Sequence, residues 1–198
     1  MASQGALFET ISEPPALEPH GFRYQDDIID EEEESALISS LSKLDLKPFQ
    51  FHGHVGNRRV ASFGLTYDYN RGSISQADAI PCFLKDLLPR IASFSTRLPD
   101  EFRQVGVNEY RAGAGIGWHK DKPQFGIIVG VSLSAAATIR FRRATANGWK
   151  RRSHVINPRS IYILDSDARS QWEHSIPPVD ALRYSITFRT LAEARPFD

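Results

Sequence analysis

The sequence predicts an α+β protein with N-terminal helices packed on a C-terminal β-sandwich or barrel. Three observations predict it: two amphipathic segments before residue 95, a series of short apolar or alternating runs after residue 104, and turn-forming residues between those runs. A chain of 198 residues, 41% hydrophobic and 24% charged, suits one globular domain with a sizeable core.

Residues 1–21 carry Pro14, Pro15 and Pro19 without periodicity and read as a loosely packed arm, leaving 22–198 as a single domain. Asp30 precedes Glu31–Glu34 and the apolar set Ala36, Leu37, Leu41 and Leu44. Asp30 with Glu33 fits a capping box, and acids in a first turn favour the positive helix end. The acidic run is therefore read as a helix start rather than a partner-binding patch. Phe49–Tyr69 is aromatic and Gly-punctuated, which predicts short strands and loops. A second helix is predicted from Pro81 to about Phe94, with Phe83, Leu84, Leu87, Leu88 and Ile91 on one face and Pro89 as an irregularity. Strands are then predicted at Val105–Tyr110, Phe125–Leu133, Thr138–Arg143, Ser160–Leu164 and Tyr184–Thr190. In Thr138–Arg143, Ile139 and Phe141 point one way, Arg140 and Arg142 the other.

Composition excludes several classes. No apolar run approaches the roughly 20 residues that cross a bilayer. The first residues lack a basic segment followed by an apolar one. The single cysteine, Cys82, excludes an internal disulfide and a thiolate zinc site, so the cytoplasm is the expected compartment. A net charge of zero hides an asymmetry: residues 1–50 hold three basic and eleven acidic groups, while residues 51–198 hold 21 basic and 13 acidic ones. Of the 24 cations, 18 are Arg, a planar donor suited to carboxylate or phosphate.

The chemistry-bearing segment runs from Asn108 to Asp121. Gly113, Gly115 and Gly117 break a strand that ends near Tyr110, and His119 and Asp121 follow. In extended chain, residues two apart project to the same side, so these two can hold one ion. His174 qualifies as a distant third ligand, with His154 as a competitor for that place. Two imidazoles and one carboxylate leave open positions, the arrangement of non-haem Fe(II) oxygenases. Nine residues beyond His174, Arg183, Ser185, Thr187 and Arg189 share one strand face, opposite Tyr184, Ile186 and Phe188. Arginines at both ends of that polar face point to an anionic guest or to solvent.

The order Asn108-x-Tyr110, His119-x-Asp121, a distant His174, then Arg183 and Arg189 resembles the AlkB-like family of Fe(II)/2-oxoglutarate-dependent dioxygenases. The resemblance implies a double-stranded β-helix (jelly-roll) core over about 104–190 and a nucleotide-recognition lid in 49–69. It implies that His119, Asp121 and His174 hold Fe(II). It implies that Arg183 pairs with the distal carboxylate of 2-oxoglutarate beside Tyr110, with Asn108 near the chelating end and Arg189 close to Asp121. Ser185 stands where the family usually has Asn, and Pro123 where DNA-repair members usually carry an acid. The implied chemistry consumes 2-oxoglutarate and O2, oxidises an inert C–H bond, and releases an N-methyl group as formaldehyde.

The substrate side is basic. Arg140, Arg142, Arg143, Lys150, Arg151, Arg152 and Arg159 form an acid-free run around the turn signal Asn147-Gly148. Asn57-Arg58-Arg59 beside Phe63, Tyr67 and Tyr69 adds cations and aromatics able to clamp a flipped base. His52 and His54 read as lid or surface residues. The expected activity is oxidative dealkylation of alkylated bases in single-stranded or unpaired nucleic acid by a monomer. The alternatives are the same oxygenase chemistry on a protein side chain or small molecule, and a non-catalytic nucleic-acid-binding module.

Overall fold

The structure, a computed structural model, describes residues 19–51, 54–68 and 72–192. The expected arm therefore lies almost wholly outside the described residues, as do His52, Tyr69 and residues 193–198.

After β1 (Phe22–Gln25), Asp30 caps α1 (Glu31–Leu41): its carboxylate accepts from the Glu33 amide at 2.8 Å, and the Glu33 carboxylate accepts from the Asp30 amide at 3.2 Å. One of the run's acids is part of the packing. Glu34 is buried, accepts from the Ser134 amide at 2.8 Å and pairs with Arg159 at 3.2 Å. Strands β2 (Lys47–Phe51), β3 (His54–Phe63), β4 (Leu65–Asp68) and β5 (Ser73–Gln76) follow. The predicted single helix from Pro81 is two: α2 (Cys82–Lys85) and α3 (Leu88–Ser95). Pro89 is the cause, since it lacks an amide proton and is tolerated in a first turn but not mid-helix.

The β-rich part comprises β6 (Phe102–Tyr110), β7 (Ile116–His119), β8 (Phe125–Leu133), β9 (Ala137–Thr145), β10 (Gly148–Ile156), β11 (Ser160–Leu164), β12 (Glu173–Ile176) and β13 (Arg183–Leu191), with α4 (Ser166–Ser170) between β11 and β12. These strands form two antiparallel sheets. The larger has the order β1-β11-β8-β13-β6-β3-β2, the smaller β10-β9-β12-β7. The chain alternates between them in the manner of a double-stranded β-helix, with β4 and β5 as a separate hairpin. The β9–β10 turn is Ala146-Asn147, with Gly148 opening β10 at φ +121°, a conformation that favours glycine.

Each face of the larger sheet meets its own core. Val105, Val107, Val129, Val131, Ile186 and Phe188 pack beneath the helices against Leu37, Leu41, Leu84 and Ile91. Each fully buried aliphatic side chain of this kind contributes about 1.5–3 kcal/mol. Between the sheets lie Ile128, Ile139, Phe141, Tyr162 and Ile176. Period-two alternation thus sends the intervening residues of β6, β8 and β13 into the space between the sheets.

Candidate metal and cosubstrate site

Antiparallel pairing of β12 with β7 sets His174 directly across from His119. The ring centroids are 4.3 Å apart, and Asp121 follows just beyond β7. His174 Nε2 lies 3.3 Å from Asp121 Oδ2, and one ligand atom from each of the three residues lies within 4.8 Å of the others. His119 Nδ1 is 2.9 Å from the Gly117 carbonyl, so that nitrogen carries the proton and Nε2 keeps its lone pair for a metal. Burial, reinforced by His174, pushes the His119 imidazole down to about 4. Burial opposes ionisation of Asp121, but the Arg189 guanidinium and His174 outweigh it and hold the carboxyl well below the usual range. Both side chains are thus in the protonation state that a divalent cation requires, and the donor set suits Fe(II).

The strand β13 supplies the polar face. Arg183, opposite Tyr110 on β6, is 1% exposed. Its Nε donates to Ser132 Oγ at 3.1 Å, while Nη1 and Nη2 are buried without a hydrogen-bond partner. A guanidinium left so in the interior is costly unless an anion completes it, and a carboxylate matches its two free donors. That orphaned fork is the observation by which the site fits 2-oxoglutarate. The Tyr110 ring centroid is 5.2 Å from the Arg183 carbon. Tyr162, on β11, bonds Ser185, and burial raises its hydroxyl despite Arg183 nearby, so it stays a donor. Arg189 binds Asp121 Oδ1 at 3.1 Å through Nη2, and Gln104 Oε1 at 2.7 Å through Nη1.

All eight residues singled out from the sequence, namely Asn108, Tyr110, His119, Asp121, His174, Arg183, Ser185 and Arg189, line one cavity of about 540 Å³. Asn108 and Ser185 are cross-strand partners there. His154 is elsewhere, its ring packed on Phe22 and Tyr24. Residues not foreseen are Ser132, Tyr162 and Gln104. The signal existed for the first: Gly126, Ile128, Gly130 and Ser132 alternate with Ile127, Val129, Val131 and Leu133, a small-residue stripe that leaves room above the sheet.

On the substrate side the sequence grouped residues that the fold separates. Arg58 and Tyr67 line the cavity, but Arg59 turns to Glu109 and the Leu46 carbonyl, and Phe63 joins the core beneath the helices. Strand alternation is the reason. The seven-cation run likewise disperses. Arg159 pairs with Asp27, Glu31 and Glu34, Arg143 lies over Trp172, and Arg142 binds Glu173. Among the described residues no helix is long and apolar enough to cross a membrane.

A family model for the 2OG-Fe(II) oxygenase superfamily matches residues 21–189. The chain is 27% identical over 149 residues to the alkylated DNA repair protein ALKBH8 homolog of Arabidopsis thaliana, covering 62% of this chain and 42% of that protein. It is 31% identical over 131 residues to the uncharacterized protein L905 of Acanthamoeba polyphaga mimivirus, covering 59% of this chain and 60% of the relative. The chain thus spans less than two thirds of either relative. Among solved structures, OsALKBH1 superposes with a TM-score of 0.64 at 16% identity, over 86% of this chain and 96% of its own. A Pseudomonas putida prolyl-4-hydroxylase gives 0.60 at 12% identity, over 89% and 95%. At such identities the structural likeness speaks to the jelly-roll fold alone. The chain belongs to the 2OG-Fe(II) oxygenase superfamily, dioxygenases of Fe(II), 2-oxoglutarate and O2, and resembles its AlkB-like members.

Proposed function

We propose that this dioxygenase removes alkyl groups oxidatively from bases in single-stranded or unpaired nucleic acid. The observation that carries the reading is the pairing of cations with aromatic rings along the cavity. Arg58 lies over the Phe49 ring at 3.8 Å, and Lys122 over the Tyr67 ring at 5.0 Å. A flat base stacks on such rings while the cations meet its phosphates. The outer face of the smaller sheet adds support. Arg142 is sandwiched between Trp118 at 4.6 Å and Trp149 at 4.4 Å, with Arg140 also over Trp118 at 5.1 Å. Trp118 lines the cavity as well, so this stacking surface continues from its mouth. The likeness to a relative named for alkylated DNA repair agrees.

In this reading His119, Asp121 and His174 hold Fe(II), which with O2 and 2-oxoglutarate supplies oxidation of an inert C–H bond. Arg183 receives the distal carboxylate of 2-oxoglutarate through its two open donors, and Ser132 holds the guanidinium in place. The protonated Tyr162 hydroxyl gives a further donor nearby. Arg189 engages one oxygen of Asp121, leaving the other for the metal. Phe49, Tyr67 and Trp118 exclude water and orient the base with its alkyl carbon toward the metal ligands. The balanced reaction converts an N-methyl base, 2-oxoglutarate and O2 into the N–H base, formaldehyde, succinate and CO2.

The test is mass spectrometry of methylated oligonucleotides incubated with protein, Fe(II) and 2-oxoglutarate. The expected result is loss of a methyl group matched by succinate, with binding that weakens as salt rises. Succinate formation with no demethylation and no oligonucleotide binding at low salt would reject the reading.

A further inference from the structure

We infer that the cavity selects uncharged N-alkyl lactam bases, in which a carbonyl flanks the alkylated nitrogen, and that the Gln104 amide nitrogen reads that carbonyl. The inference rests on the dealkylase reading above. It starts from the charges. The cavity is lined by Arg58, Lys120, Lys122, Arg183 and Arg189, and among the described residues by one acid, Asp121. Asp121 is already engaged by Arg189 and by His174. Divalent iron and dianionic 2-oxoglutarate cancel, so the cosubstrate-loaded cavity stays positive. A base that becomes cationic on alkylation, such as N1-methyladenine or N3-methylcytosine, finds no counter-charge there and meets repulsion that burial strengthens.

Gln104 supplies the second half. It is 4% exposed on the inner face of β6, and its Oε1 accepts from Arg189 Nη1 at 2.7 Å. A guanidinium can only donate, so this bond fixes which end of the amide is oxygen. The other end is therefore an N–H₂ donor. Its printed partner is Ser62 Oγ at 3.5 Å, the limit of a hydrogen bond. Gly106 leaves the space beside it: a Cβ at that position would stand 3.4 Å from Gln104 Nε2. A buried amide donor held this loosely is completed by an acceptor from a substrate. The chain of bonds from Asp121 through Arg189 to Gln104 ties that donor to the metal ligand, so carbonyl and alkyl group are read together. N3-methylthymine offers a carbonyl on both sides of its methylated nitrogen and carries no charge. A site built to bond a substrate group discriminates strongly against analogues that lack it.

The experiment compares one oligonucleotide sequence carrying N3-methylthymine, N3-methylcytosine, N1-methyladenine or N6-methyladenine. Demethylation is followed by mass spectrometry, and binding to metal-free protein by fluorescence anisotropy. N3-methylthymine is expected to give the highest kcat/KM, at least about tenfold above either cationic base, and the tightest metal-free binding. Gln104→Glu adds an acid without changing shape. It is expected to lower kcat/KM for N3-methylthymine about tenfold and to narrow its lead over the cationic bases. Wild-type protein acting on a cationic base as fast as on N3-methylthymine overturns the inference and leaves the dealkylase reading intact. N6-methyladenine, neutral but without a carbonyl, overturns the role of Gln104 if it matches N3-methylthymine. No demethylation of any of the four, with 2-oxoglutarate still converted to succinate, rejects the dealkylase reading and this inference with it.

Discussion

Arg189 holds Asp121 by a 3.1 Å bond from Nη2 to Oδ1, while Oδ2 of the same carboxylate faces His174 Nε2 at 3.3 Å. The guanidinium therefore occupies one oxygen and aims the other, a division of labour expected of a group that orients a metal ligand. Arg189→Met is expected to weaken divalent-metal binding by about 10- to 100-fold, the usual cost of losing such a partner. Asp121→Ala is expected to abolish binding and turnover together. Calorimetric titration with Co(II) reads both. Unaltered affinity in Arg189→Met would mean that the carboxylate is positioned by other contacts.

The two open donors of Arg183 give a second prediction, with opposite signs for ligand-free and loaded protein. Without cosubstrate they are unsatisfied and buried. Arg183→Met fills the same space without a charge and is expected to raise ligand-free stability by about 1–3 kcal/mol. It should also remove the stabilisation that 2-oxoglutarate confers on the wild-type protein loaded with a redox-inert divalent metal. Denaturant unfolding with and without 2-oxoglutarate tests both. A variant that still responds to 2-oxoglutarate would remove Arg183 from its proposed role.

The alternation of β13 was legible in the sequence because a strand's period is two and the residue types differ sharply between its faces. Arg183, Ser185, Thr187 and Arg189 could be read as one surface before any fold was known. The sequence left open whether that surface met solvent or a guest, and the 1% exposure of Arg183 decides for the interior. Ser132 and Tyr162 were not legible as site residues, since their place depends on β8 pairing with both β11 and β13, contacts made across large sequence separations. The basic run failed for a related reason. Adjacent cations such as Arg142 and Arg143 point to opposite faces of β9, and Arg159 has its partners on and just before α1, more than a hundred residues earlier.

His119 makes the metal-free protein acid-sensitive. Its imidazole ionises near 4 in the folded protein against an ordinary 6.5. Between those values the unfolded chain binds the proton and the folded one does not, so stability falls as pH drops from about 6.5 to about 4. The shift corresponds to about 2–3 kcal/mol. Asp121 works in a lower window, because its stabilising charge is lost only below the ordinary 3.8. Urea unfolding of metal-free protein at pH 7 and pH 4.5 should show the loss, and His119→Gln should reduce it. Identical pH slopes in the two proteins would assign the acid sensitivity to other groups.

Two glycines on the inner face of the larger sheet are predicted to be intolerant of alanine to different degrees. A Cβ at Gly106 would come within 2.9 Å of Thr187 Oγ1 and 3.0 Å of Arg189 Nη1. Those are side-chain atoms, so a small displacement relieves the contact, and its cost should be about 1–3 kcal/mol with weaker metal binding through Arg189. A Cβ at Gly130 would instead overlap the Tyr162 ring, which is buried and bonded to Ser185. The ring has to leave the space beside Arg183, so Gly130→Ala should destabilise more than Gly106→Ala and raise the 2-oxoglutarate requirement as well. Tyr162→Leu makes room in the same place and should restore stability to Gly130→Ala without restoring cosubstrate affinity. A double variant with wild-type 2-oxoglutarate affinity would show that the Tyr162 hydroxyl is dispensable for holding the cosubstrate.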